Sequence, residues 1–216
     1  MPSEYYNRNF RPQYFYHIFN RGAYKNKIFL NKSDYEIFTS ILSYYLLYPK
    51  TRNFAYQKKV NKFQVRNLEK EQTVHLVAYC LMPNHFHLLL RQLPNATKKT
   101  NISNLMKRLS ITYAMYFQNK YDHAGTLFQG KFKNTTVETD EQLLFLSRYI
   151  HTNPKKLTKQ LGNYLFSSYP VYINKVKSLK WIQSKYILRL NKDYKSFVEL
   201  PLKDKEITKI EKLVLE

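Results

Sequence analysis

Two kinds of apolar pattern alternate along the chain: short runs with strand character and longer stretches with helical period. Gln13–Phe19 (QYFYHIF) is rich in aromatics and predicts a first strand, stopped by the turn Asn20-Arg21-Gly22. Ser33-Asp34-Tyr35-Glu36 fits a capping box, and Phe38, Ile41, Leu42 and Tyr45 follow at i, i+3, i+4 and i+7. That pattern predicts a first helix ending at Pro49. Residues 50–72 have no clean period and read as a long basic loop. Val74–Leu81 and His85–Leu90 are apolar runs separated by Met82-Pro83-Asn84, whose turn chemistry predicts a β-hairpin.

Ile102, Leu105, Met106, Leu109, Tyr113, Tyr116 and Phe117 mark one face of a long second helix, broken at Asp122–Gly125. Thr126–Val137 predicts another strand with Gly130 inside it. Thr139-Asp140-Glu141-Gln142 is a second capping box, opening a helix through Leu143, Leu146 and Ile150 that Pro154 closes. After Tyr172 the chain turns basic and mixed, with a short helix expected near Ile207, Ile210 and Val214. The order is β-α-β-β-α-β followed by a helix. It predicts an α+β fold: a ferredoxin-like antiparallel sheet with helices on one face and an extra C-terminal helix bearing Tyr149. Residues 1–172 are expected to form the main domain and 173–216 a basic, partly helical extension.

Charge narrows the range of partners. Among 216 residues, 36 Lys and Arg stand against 15 Asp and Glu, a formal net charge of +21. Such a field attracts polyanions, of which nucleic acid is the commonest. The basic residues are spread along the chain, which suits a folded groove better than a basic tail. Twenty Tyr and 14 Phe offer rings for stacking on unpaired bases, although most are expected in the core. The single cysteine, Cys80, excludes a disulfide framework and a cysteine-rich zinc site. No Gly-rich phosphate loop is present. No apolar run approaches a membrane span, and the start lacks a signal-peptide core, so a cytoplasmic protein without membrane contact is expected.

Two short motifs carry candidate chemistry. In His85-Phe86-His87, strand alternation puts both imidazoles on one face, about 7 Å apart, where they can converge on one divalent metal. By itself this spacing also fits two histidines on a solvated strand face. In Tyr149-Ile150-His151-Thr152-Asn153-Pro154, Tyr149 and Asn153 are four apart and share a helix face. An Asn amide oxygen can complete a coordination shell beside a tyrosine hydroxyl, and Arg148, Lys155 and Lys156 bring positive charge to that helix end. Tyr113 and Tyr116 rival Tyr149 as nucleophiles by residue type, but their spacing fits the buried face of the second helix.

In combination, Leu81-Met82-Pro83-Asn84-His85-Phe86-His87-Leu88-Leu89 and Tyr149-Ile150-His151-Thr152-Asn153-Pro154 resemble the REP-associated tyrosine transposases. Those belong to the His-hydrophobic-His class of single-tyrosine transposases and nucleases. His17-Ile18-Phe19-Asn20-Arg21-Gly22, Gly125–Phe132 and Phe166–Tyr172 add to the resemblance, which covers about residues 13–172 in consistent order. It implies the same ferredoxin-like core, with His85, His87 and Asn153 as metal ligands and Tyr149 as nucleophile. The implied substrate is single-stranded DNA folded into hairpins of palindromic repeats. The implied chemistry is cleavage and rejoining through a 5′-phosphotyrosine. Mixed N/O ligands suit Mg²⁺ or Mn²⁺, the latter being the better match to imidazole.

Arg21, Arg91, Lys131, Lys133 and Arg148 lie near predicted sheet edges and helix ends, where they are candidates for phosphate contacts together with Lys155 and Lys156. The chain departs from the family in carrying Phe128 where Trp is usual and Lys131 where Arg is usual. A phenylalanine still stacks on a base, whereas lysine lacks the bidentate grip of arginine on phosphate. A homodimer, with the tyrosine serving its own or a partner's site, is left open. Three other readings stay open at this point: a related replication-initiator or transfer nuclease, a metal-dependent nuclease using water, and a catalytically silent nucleic-acid-binding module.

Overall fold

The computed structural model describes residues 8–51, 54 and 71–201. Most of the expected loop 50–72 and the helix expected near Ile207 lie outside the described residues. Four strands, β1 (Phe15–Arg21), β2 (Val74–Met82), β3 (His85–Gln92) and β4 (Lys133–Val137), form one sheet in the order β2-β3-β1-β4. Every neighbouring pair is antiparallel. The connection from β1 to β2 runs through α1 (Lys32–Leu47), and that from β3 to β4 through α2 (Ile102–Tyr121). Each connection skips one strand, as the expected β-α-β-β-α-β succession requires. Helix α3 (Asp140–Thr152) follows β4. Among the described residues no helix is long and apolar enough to cross a membrane.

The sheet separates two environments. Strand alternation turns Phe86, Leu88 and Leu90 to one face and His85, His87 and Leu89 to the other. Helices α1 and α2 cover the first face, where the ring of Phe38 lies 5.2 Å from Phe86 and 5.0 Å from Tyr113. Helix α3 lies over the second face, with Tyr149 beside His87. Large apolar side chains from both faces join in one core, which includes Ile18, Leu42, Leu88, Leu109 and Leu146.

Local differences from the sequence expectation have physical causes. Strand β1 continues through Asn20 and Arg21 because they pair with Phe86 and His85 instead of turning. The expected strand over Thr126–Val137 forms only from Lys133 onward. Gly125 and Gly130 before it have φ of +87° and +79°, a left-handed backbone that interrupts any ladder. The cap of α1 sits two residues earlier than expected. Asn31 Oδ1 accepts from Ser33 N at 3.1 Å, and Asp34 Oδ2 accepts from Asn31 N at 3.1 Å. Asp34 itself is fully buried against Lys120, with an oxygen 2.7 Å from Nζ. Pro154 does close α3, but Asn153–Lys156 continue as one 3₁₀ turn.

The chain beyond Tyr172 contributes to the core. The outer edge of β2 is covered by Leu81 N donating to Phe166 O (2.9 Å), Ser168 N to Tyr79 O (3.0 Å) and Gln183 N to Leu76 O (2.8 Å). Covering this edge removes a template for pairing with other chains. Short helices α4 (Tyr169–Tyr172), α5 (Lys185–Leu188) and α6 (Tyr194–Glu199) bury Tyr172, Ile187, Tyr194 and Val198.

Candidate active site

Antiparallel register assembles the site at one end of the sheet. Arg21 pairs with His85, Phe19 with His87, and Cys80 of β2 lies on the other side of His87. The connection between β2 and β3 is clamped from outside: Gly22 N donates to Asn84 O (2.8 Å), and Ile28 N and Phe29 N both donate to Pro83 O (2.8 and 3.0 Å). His85 and His87 therefore hold fixed positions, with ring centroids 5.0 Å apart and planes at 85°. His85 is half-buried and His87 fully buried.

Helix α3 brings the second half. Its start is fixed by a reciprocal cap, Gln142 N to Thr139 Oγ1 (3.1 Å) and Thr139 N to Gln142 Oε1 (3.3 Å). Its rotation is fixed by His151, fully buried, with Nδ1 2.8 Å from Tyr194 Oη and Nε2 2.7 Å from Ser168 Oγ. Burial holds His151 neutral, with its pKa pushed down to about 3. Tyr149, about 200° away around the helix axis, stands edge-on to His87 at 5.5 Å and to His17 at 6.4 Å between centroids. One turn on, Asn153 Oδ1 lies 3.2 Å from His85 Nε2. The four residues expected from the sequence thus meet within one chain.

The donor set fits a cation. Asn84 Nδ2 donates to Lys25 O (3.2 Å), which leaves its Oδ1 to accept from His85 Nδ1 (2.7 Å). A neutral His85 so protonated turns its Nε2 lone pair toward another acceptor, Asn153 Oδ1. His85 Nε2 and Asn153 Oδ1 can both direct a lone pair at one cation. Their 3.2 Å separation matches the roughly 3 Å between adjacent donors bound at about 2.1 Å to one ion. Among the described residues no three His, Cys, Asp or Glu side chains are grouped to hold a metal, and the oxygen that faces His85 belongs to the amide of Asn153.

A cavity of about 250 Å³ opens beside the histidines, lined by Arg21, Lys25, Asn84, Gln129 and Lys133 among others. Arg21 Nε donates to Gln129 Oε1, and Lys133 Nζ lies 5.8 Å from the centre of the Phe19 ring. Of the expected phosphate-binding residues, Arg21 and Lys133 line this cavity, and Lys155 and Lys156 are exposed just past Asn153. Lys131 is exposed in the loop before β4. The other two lie elsewhere. Arg91 is at the far end of β3, donating to Gln13 O (3.1 Å) and Tyr186 Oη (2.8 Å). Arg148 is buried, donating to Leu200 O (2.5 Å) over the Phe197 ring.

Phe128 is not available to stack on a base, because it is buried against Phe86 and Tyr113 on the helical face of the sheet. Tyr113 is fully buried and donates to Ile28 O, and Tyr116 donates to Asp34, so both serve the core as expected. The sequence reading did not single out Lys25, Asn84 and Gln129 in this cavity, nor the place of His17 under the histidines. The phase of His17 with Phe19 and Arg21 was a signal for one shared face, but only the register shows that the face is that of His85 and His87.

The site thus sits on a four-stranded antiparallel sheet flanked by helices, with the helix that carries Tyr149 laid over the paired histidines, an α+β fold shared with known transposases. Residues 11–153 match the family model described as transposase IS200-like, and the chain belongs to that family. Among solved structures, the chain is similar to a REP-associated tyrosine transposase bound to a REP hairpin. The identity is 12%, the TM-score 0.53, and the match covers 82% of this chain and 96% of that one. At that identity the likeness speaks for the fold. More distant overlaps are with a putative transposase from Deinococcus radiodurans R1 (20% identity, TM-score 0.38, 68% and 95% covered) and a bacterial tRNA(His) guanylyltransferase-like protein in complex with GTP (13%, 0.39, 88% and 92%). No curated protein matches the sequence significantly.

Proposed function

We propose that this transposase cleaves and rejoins single-stranded DNA through Tyr149, on hairpin-forming repeats, with a divalent ion held by His85, His87 and Asn153. The observation that carries the proposal is the meeting of the Tyr149 ring with His87 at 5.5 Å and of Asn153 with His85 at 3.2 Å. Two motifs more than 60 residues apart in sequence thereby share one site.

The Tyr149 oxygen attacks a backbone phosphorus and forms a P–O bond as its phenolic proton passes to solvent. The bond from phosphorus to O3′ breaks, and O3′ leaves with the electron pair and takes a proton from water. The products are a 5′-phosphotyrosine and a free 3′-hydroxyl. Rejoining reverses the step with another 3′-hydroxyl and needs no nucleotide cofactor, because the phosphotyrosine retains the energy of the broken bond. Arg21 and Lys133 hold the flanking phosphates in the cavity beside the histidines. Lys155 and Lys156, exposed just past Asn153, add positive charge for the DNA backbone at the end of the helix that carries Tyr149. Mg²⁺ or Mn²⁺, when bound, withdraws charge from the scissile phosphate. The partner DNA fits the family likeness to a hairpin-bound transposase, and one copy of the chain contains the full set of groups.

Labelled single-stranded hairpins from repeats flanking the gene, incubated with protein and Mn²⁺, test the reading on a denaturing gel. The expected result is a protein–DNA adduct that disappears in Tyr149→Phe and falls at least 100-fold in His85→Ala. Cleavage without an adduct assigns the attack to water and overturns the role of Tyr149. Binding without cleavage across repeats of both polarities reduces the protein to a DNA-binding module.

A further inference from the structure

We propose that His17 is the positioning residue that sets the tautomer of His87, so that His87 presents an Nε2 lone pair to the divalent ion. The inference rests on the metal reading of the site and extends it to a side chain outside the ligand set. His17 is completely buried on β1, one strand across from His87. Its Nε2 lies 2.9 Å from His87 Nδ1, with ring centroids 5.1 Å apart and only 17° between the ring planes.

Two nitrogens at that distance share one proton. If His17 donates, a neutral His87 keeps its proton on Nε2 and cannot ligate through that atom. If His87 Nδ1–H donates, the Nε2 lone pair is available. Only the second arrangement is compatible with both the observed contact and metal binding, so His17 acts as the acceptor. Metal-ligating histidines generally donate their other ring N–H to such a partner, and losing it costs 10–100-fold in affinity.

The site contains the same device twice. Asn84 Oδ1 is 2.7 Å from His85 Nδ1 as His17 Nε2 is from His87 Nδ1 at 2.9 Å. The two acceptors come from different elements, the β2–β3 turn and β1. His17 also meets the edge of Tyr149 at 6.4 Å. One buried ring therefore supports both the ligand and the helix that carries the nucleophile. Packing alone would be met at this position by any apolar side chain of similar size.

The test compares wild type with His17→Gln, which keeps an acceptor oxygen, and His17→Met, which matches its size without one. The readouts are long-range ¹H–¹⁵N spectra of the metal-free protein and Mn²⁺ titration followed by electron paramagnetic resonance without DNA. His87→Ala is the control. The expected results are a wild-type His87 protonated on Nδ1, Mn²⁺ affinity within about threefold of wild type in His17→Gln, and a 10–100-fold loss in His17→Met. A merely structural role would order the variants by melting temperature and not by the presence of the oxygen. Equal Mn²⁺ affinity in Gln and Met variants, or a wild-type His87 protonated on Nε2, overturns the role of His17 and leaves the metal site standing. Absence of saturable Mn²⁺ binding in wild type, or unchanged binding in His87→Ala, overturns the metal reading and this inference with it.

Discussion

His75 shows how strongly a single buried ring can tie stability to pH. It bonds Tyr186 Oη at 2.8 Å. Burial, and then the charges of Lys185 and Arg91, push its pKa down to about 4. The unfolded chain takes up a proton near the ordinary histidine value of about 6.5, whereas the folded ring stays neutral down to about 4. Stability therefore falls as pH drops through that window. The loss is bounded by about 1.4 kcal/mol per pH unit and is smaller for a partly solvated ring. Urea unfolding at pH 7, 6, 5 and 4.5 should show this decline, with a shallower slope in His75→Gln.

Asp34 acts in the other direction. Its burial would raise its pKa, but bonds from Lys120, Leu30 N, Tyr121 and Tyr116 outweigh that effect and hold it below the ordinary carboxylate value. Its contribution is present above the unfolded pKa and is lost only in stronger acid. Asp34→Ala removes one half of the reciprocal cap of α1 and the buried acceptor shared by Lys120, Tyr116 and Tyr121. Denaturant unfolding should register a loss of about 3 kcal/mol.

Among elements, the β2–β3 turn and its clamp decide the geometry of the site. Gly22 has no room for a side chain: a Cβ there would sit 2.1 Å from Asn26 O and 3.0 Å from Ile28 Cγ2. Gly22→Ala must push the 22–28 segment away from Asn84 and Pro83, costing about 1–3 kcal/mol. Because that segment holds the turn before His85, Mn²⁺ affinity should fall along with the melting temperature. Unchanged affinity at a lowered melting temperature would show that the clamp is structural only. Helix α3 was legible from its capping box, its apolar period and its closing proline. The fragment before β4 was not, because two left-handed glycines break an otherwise strand-like composition.

For the whole molecule, the charge of +21 predicts DNA binding that weakens steeply with salt. For single strands the slope of log affinity on log salt is about −0.7 per phosphate neutralised. Arg21→Gln and Lys133→Gln should each reduce that slope by about 0.7, while Arg91→Gln and Arg148→Gln should leave it unchanged. Fluorescence anisotropy between 50 and 300 mM salt, on the order of the range where such slopes are read, measures it. Removing the chain after Tyr172 would delete Ile187, Tyr194 and Val198 from the core and the hydroxyl that holds His151. Such a truncated protein is expected to lose cooperative thermal unfolding.

The chain by itself determined the succession of elements, the basic character, and two motifs whose internal spacing puts His85 with His87 and Tyr149 with Asn153. Those features depend on neighbours within one turn or one strand pair, where backbone period alone fixes direction. Tertiary structure decided which separate pieces meet. Register put His17 beneath His87 and Arg21 against His85. The helical face claimed Phe128, and the last segment enclosed Arg148 that helix-end charge had suggested for DNA. No local pattern encodes such pairings, because a one-residue slip of β1 would turn its other face to the histidines without changing the strand's own composition.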